Sequence, residues 1–120
     1  MVKPKTFFYL IIYFFLFISS QAFSKNIYNA SNSSFEIIPE KDSIFEEREL
    51  LVLAKFNLDE NWHTYWINPG DSGEPVNFDW ILPEGFKISD PIWPSPELIP
   101  YPPLTTFGYT NELTLLFKIS

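Results

Sequence analysis

No cysteine occurs anywhere in the 120 residues. Disulfide staples, a thiolate metal site and thiol redox chemistry carried by these residues are therefore excluded, and the fold has to hold through its core. Histidine is nearly as scarce: His63 is the only one, and histidine is the side chain type suited to proton exchange near neutral pH. A metal site wants several ligands at workable spacing, and Asp59, Glu60 and Asp71 are only loosely placed around that single histidine. The residues thus point to a packed or hydrogen-bonded structural histidine, with no metal and no other cofactor implied. Basic residues are few, eight against fifteen acidic ones for a net charge of −7, which argues against nucleic acid and against anionic lipid headgroups as partners. Nucleophile elbow, phosphate loop, HExxH and Cys-x-x-Cys patterns are all missing. The carboxylates of Asp71 and Glu74 are a weak signal for acid–base work on a glycosidic bond, so no catalytic residue is assigned.

The one long apolar run stands at the start. Lys3 and Lys5 precede an uncharged stretch from Phe7 to Ile18 that is too short to cross a bilayer comfortably, and Ser20-Gln21-Ala22 resembles a cleavage site. Residues 1–22 read as a secretory signal peptide, with a second possible cut after Ser24 and an uncleaved anchor as the competing reading. Removing them takes away two of the eight bases and no acid, leaving six against fifteen, or −9. Residues 23–34 are polar and read as a flexible lead-in. They contain two glycosylation sequons, Asn29-Ala30-Ser31 and Asn32-Ser33-Ser34, of a kind that an Asn/Ser-rich stretch produces by chance. Residues 35–120 are enough for one small domain and too few for two.

Within that domain the hydrophobic period is two, the mark of strands with one buried face. Leu50, Val52, Ala54, Phe56 and Leu58 share one side; Val76, Phe78 and Trp80 alternate with Asn77 and Asp79; Leu113, Leu115, Phe117 and Ile119 alternate with Glu112, Thr114 and Lys118. The charged patch from Ser43 to Arg48 reads as a turn or a strand's approach. Eleven prolines, most of them between Pro69 and Pro103, break any long helix and mark loops. The expected fold is all-β, an immunoglobulin-like β-sandwich. The closing strand Glu112 to Ser120 would leave a bare apolar edge, so the sandwich is expected to be incomplete at its C-terminus, the front part of a longer protein.

Trp62-His63-Thr64-Tyr65-Trp66 sets an aromatic strand against Asn68-Pro69-Gly70-Asp71-Ser72-Gly73, where proline fixes φ, glycine takes positive φ and Asn or Asp bonds its own backbone. A turn built on Pro69, Gly70 and Gly73 is expected there, with positive φ at Gly70 or Gly73. The four tryptophans sit in strand-like contexts where core packing is the default explanation.

These segments, with Glu74-Pro75, Asp79-Trp80, Leu82-Pro83-Glu84-Gly85, Ile92-Trp93-Pro94-x-Pro96 and Phe107-Gly108-Tyr109, occur in one order from about Leu50 to Leu116. Together they resemble the amino-terminal periplasmic domain of the DsbD family of thiol:disulfide interchange proteins, especially its ScsB-type members. The resemblance implies an immunoglobulin-like sandwich exported to the periplasm and fused to a membrane-embedded electron-transfer domain of the same chain. It implies disulfide reduction in periplasmic disulfide-containing proteins through a cysteine pair expected beyond residue 120. Tyr65, Trp66, Asn68 and Asp71 are then the candidates for shaping the partner-facing surface. The alternative is a non-enzymatic secreted sandwich that binds protein or glycan through exposed aromatics.

Overall fold

The computed structural model describes residues 27–42 and 49–120. The signal segment, the first four residues of the lead-in and the charged patch Ser43 to Arg48 lie outside the described residues. Seven strands follow in order: β1 (Ile27–Asn29), β2 (Ser33–Pro39), β3 (Leu50–Leu58), β4 (His63–Gly70), β5 (Glu97–Tyr101), β6 (Leu104–Thr110) and β7 (Glu112–Ile119). They form two antiparallel sheets, ordered β1-β2-β3-β7 and β4-β6-β5, as the period-two pattern and the prolines require of an all-β sandwich.

The core forms where the alternating faces meet. Val52 and Ala54 of β3, Leu113, Leu115 and Phe117 of β7, and Tyr109 of β6 are buried. Leu50, Phe56 and Ile119 pack against them, so the faces legible in β3 and β7 are the ones the fold buries. Adjacent β6 and β7 are joined at Asn111, whose φ of 63° suits a residue tolerant of the left-handed region.

Three expectations need correction. Part of the lead-in 23–34 is ordered strand: β1 pairs with β2 through Ile27↔Glu36, Tyr28↔Phe35 and Asn29↔Ser34, and Phe35 anchors this edge by packing on Phe56 at 4.7 Å. Polar composition misled because an edge ladder draws on backbone groups, which every residue carries.

Val76, Phe78 and Trp80 belong to no strand. Their side chains nevertheless reach the core, Phe78 lying 5.0 Å and Trp80 5.1 Å from the Phe117 ring. Alternation reports which side of an extended chain faces the core; a ladder needs in addition an open strand edge, and Pro75 and Pro83 flank this run.

The outer edge of β7 is not bare. Residues 87–92 lie along it through the bridges Ile88↔Ile119 and Ile92↔Leu116, with Lys87 N–H donating to Ser120 O at 2.8 Å, Ser89 N–H to Lys118 O at 2.9 Å and Ile92 N–H to Leu116 O at 2.8 Å.

Candidate functional site

Strand β4 carries most of the residues singled out above, and its pairing with β6 explains their positions. His63↔Thr110, Thr64↔Tyr109 and Tyr65↔Gly108 are regular, and the next pair is Gly70↔Thr106. Five steps along β4 therefore match two along β6. Trp66 to Pro69 bulge out of the ladder, where Pro69 has no N–H to donate. The expected turn at Asn68-Pro69-Gly70-Asp71 is displaced: the strand runs to Gly70, and the chain bends at Asp71 and Ser72.

Gly70 and Gly73 both take positive φ, 88° and 94°. At Gly70 a Cβ would lie 2.3 Å from the Thr105 carbonyl oxygen, and at Gly73 2.2 Å from Cε1 of Tyr65. Glycine is needed at both places for conformation and for space. Between them Asp71 clamps β6 in both directions: its N–H donates to Thr105 O at 2.9 Å, and its Oδ2 accepts from Thr105 N–H at 2.7 Å. Ser72 Oγ and Thr106 Oγ1, 3.2 Å apart, share a hydrogen bond beside it.

The bulge separates the candidates. Tyr65 stands on one side, its hydroxyl 3.2 Å from His63 Nε2 and the two rings edge to face at 5.2 Å. His63, Tyr65, Ser72, Ile99, Tyr101, Leu104 and Thr106 line a hollow of about 360 Å³. Trp66 turns inward, half-buried and edge-on to Phe107 at 6.4 Å. Asn68 is exposed and forms no side-chain hydrogen bond among the described residues. So Tyr65 and Asp71 belong to one locality around Gly73, while Trp66 packs inward and Asn68 stands exposed in the bulge.

Sequence reasoning missed a larger feature. Ile67, thrown outward by the bulge and 50% exposed, forms one wall of a cleft of about 550 Å³ completed by Val76, Phe78, Trp80, Ile88, Trp93 and Phe117. Its only charged lining residues are Glu74 and Asp90. The indole N–H groups of Trp80 and Trp93 are buried here without a hydrogen-bond partner. Trp93 stacks on Tyr109 at 6.3 Å, and the Tyr109 hydroxyl donates to Pro94 O at 2.8 Å, with burial raising its pKa above the usual value. The signal for this cleft was the aromatic content of 76–93, which was read as strand and core.

Chemically, the site offers stacking surfaces, hydroxyls and carboxylates. Among the described residues no three His, Asp or Glu side chains gather as metal ligands. An apolar cleft and a hydroxyl-lined hollow thus flank one bulged strand.

Residues 35–120 match the family described as thiol:disulfide interchange protein DsbD, N-terminal. Among solved structures, the N-terminal periplasmic domain of ScsB from Proteus mirabilis is similar at 21% identity and a TM-score of 0.57, over 80% of this chain and 38% of that one. The chain thus spans well under half the length of that domain, and the likeness speaks for the sandwich fold. No curated protein matches the chain.

Proposed function

The chain belongs to the family of DsbD amino-terminal domains, and on that premise we propose that it is the exported, cysteine-free leading part of a periplasmic protein-disulfide reductase. The observation that carries this reading is the family match, which takes in every strand from β3 to β7 and five of the seven residues of β2. Catalytic cysteines are placed beyond Ser120, and a membrane-embedded domain of the same longer chain supplies the electrons. One cysteine thiolate attacks a partner's disulfide, forming a mixed disulfide and releasing one partner sulfur as thiolate. The second cysteine then resolves that intermediate, leaving the partner reduced and the pair oxidised. Within this scheme the present residues are scaffold and docking surface: Tyr65, Asn68 and the Asp71–Gly73 bend bound the approach, with Trp66 holding the bulge from beneath.

The test extends the protein through the downstream cysteine pair and changes one cysteine to alanine. A trapped mixed disulfide with a periplasmic protein is the expected result, while the 120-residue chain alone shows no reductase activity. An extended protein that folds, holds the pair and traps nothing refutes the reading. The aromatic cleft favours a second reading, a non-enzymatic module binding protein or glycan, which prevails if the gene encodes no such pair.

A further inference from the structure

The outward face of the four-stranded sheet carries a row that the function above leaves unused. Because Val52, Ala54, Leu115 and Phe117 point into the core, Leu51, Leu53 and Leu116 point away from it. The register then lines up four apolar residues directly across the sheet: Ile38↔Leu53, Leu53↔Leu116 and Leu116↔Ile92. Ile38 and Ile92 at its ends are 37% and 65% exposed. A shallow groove of about 270 Å³ bounded by Ile38, Pro39, Glu40, Leu51, Leu53 and Leu116 lies on this band. Two ion pairs flank it: Lys55 Nζ of β3 to Glu112 Oε2 of β7 at 2.8 Å on one side, and Lys118 Nζ of β7 to Oε2 of Glu49, the residue just before β3, at 3.2 Å on the other.

We propose that this face is a self-complementary interface for a second copy of the chain. The row reads Ile-Leu-Leu-Ile and is a palindrome about the line between β3 and β7. A twofold axis along that line, in the plane of contact, sets Leu53 over the other copy's Leu116 and Ile38 over its Ile92. The same axis exchanges the partners of each ion pair, so every lysine meets a glutamate of the other copy as well as its own. In a chain of net charge −7 the two flanking ion pairs are each neutral, while Glu36, across from Lys55 in the register, adds one negative charge per copy beside the band, so two copies meet little repulsion over the apolar row itself. Glu40 borders the groove, adds a negative charge per copy at the margin and keeps the association reversible.

The experiment is sedimentation equilibrium of the chain recovered from the periplasm, and it is independent of the reductase reading. The mass rises with concentration towards twice that of one chain. Joint Ile38→Asp and Ile92→Asp changes, at positions exposed enough to leave the circular dichroism unaltered, weaken dimerisation at least about tenfold. The axis has its own test, made clean by the lack of native cysteine. A thiol cross-linker spanning about 10 Å, the spacing of stacked sheets, joins Ile38→Cys chains to Ile92→Cys chains in a mixture. Either variant alone stays uncrosslinked, because its two thiols are also offset sideways by three strand spacings, about 14 Å. A single-chain mass at all concentrations, a dimer indifferent to the aspartates, or equal cross-linking within one variant overturns the proposal.

Discussion

Replacing Gly70 by alanine tests whether the bulge of β4 is held by backbone fit. The φ of 88° puts an alanine in a region that non-glycine residues occupy at about 1–3 kcal/mol. The new Cβ would also stand 2.3 Å from the Thr105 carbonyl oxygen. That oxygen is main chain, already accepts from Asp71 N–H at 2.9 Å, and has no flexible end that can swing aside. Relief requires β4 and β6 to part, which loses that hydrogen bond at about 0.5–1.5 kcal/mol. The sum is about 1.5–4.5 kcal/mol, a large share of a small domain's stability. Gly85→Ala is the reference: its φ is also 88°, but nothing lies within 4 Å of the added carbon, so it loses only the conformational part. Urea unfolding of the two variants beside the parent chain, read as midpoint shifts at constant slope, separates the contributions. Equal losses at the two positions would refute the close-approach argument, and an unchanged midpoint for Gly70→Ala would refute both parts.

Tyr109→Phe leaves the Pro94 carbonyl without its donor and lowers stability by about 0.5–1.5 kcal/mol in the same urea assay. The raised pKa of Tyr109, caused by burial, means that the folded state holds the phenolic proton more tightly. This contribution is complete below the ordinary value of 10.0 and fades as pH climbs through the folded value, a fall that the phenylalanine variant does not share. Glu112 is lowered chiefly by its hydrogen bond from Lys55, so its contribution is present above 4.5 and lost as pH drops through the folded value; Glu112→Gln flattens the fall of the midpoint below pH 4.5, and only slightly, because the pair faces solvent. Export with cleavage predicts that mass spectrometry of periplasmic material finds a start at Phe23 or Lys25, and intact Met1 in the membrane would contradict it.

The faces of β3 and β7 were readable where polar residues mark the outer side, Lys55 and Asn57 on β3 and Glu112, Thr114 and Lys118 on β7, while Leu51, Leu53 and Leu116 carry no such mark. The positive φ of Gly70 and Gly73 was readable for a similarly local reason, since few residues tolerate that geometry. What escaped the sequence were relations between distant segments. That Asn68 and Pro69 fall within a bulge depends on where β6 resumes pairing, and that 87–92 shields β7 depends on a short extended segment being laid beside a strand some thirty positions later. The cleft belongs to the same class: Ile67, Trp80, Trp93 and Phe117 are each ordinary core candidates, and only their arrangement leaves a space among them. Trp66 and Tyr65 look alike in the sequence, yet one packs on Phe107 and the other opens onto a hollow.

The pairing of β3 with β7 governs when this protein becomes a folded object. Asn57 meets Glu112 across 55 positions and Leu50 meets Ile119 across 69, and the buried side chains Leu113, Leu115 and Phe117 all arrive on the last strand. A chain that emerges amino-terminus first therefore carries β1, β2 and β3 into solution well before their main apolar complement exists. Closing so long a loop is slow and yields nothing until the final strand docks. Threaded through a membrane pore, such a topology stays unfolded for as long as threading lasts and condenses only once the far end is through.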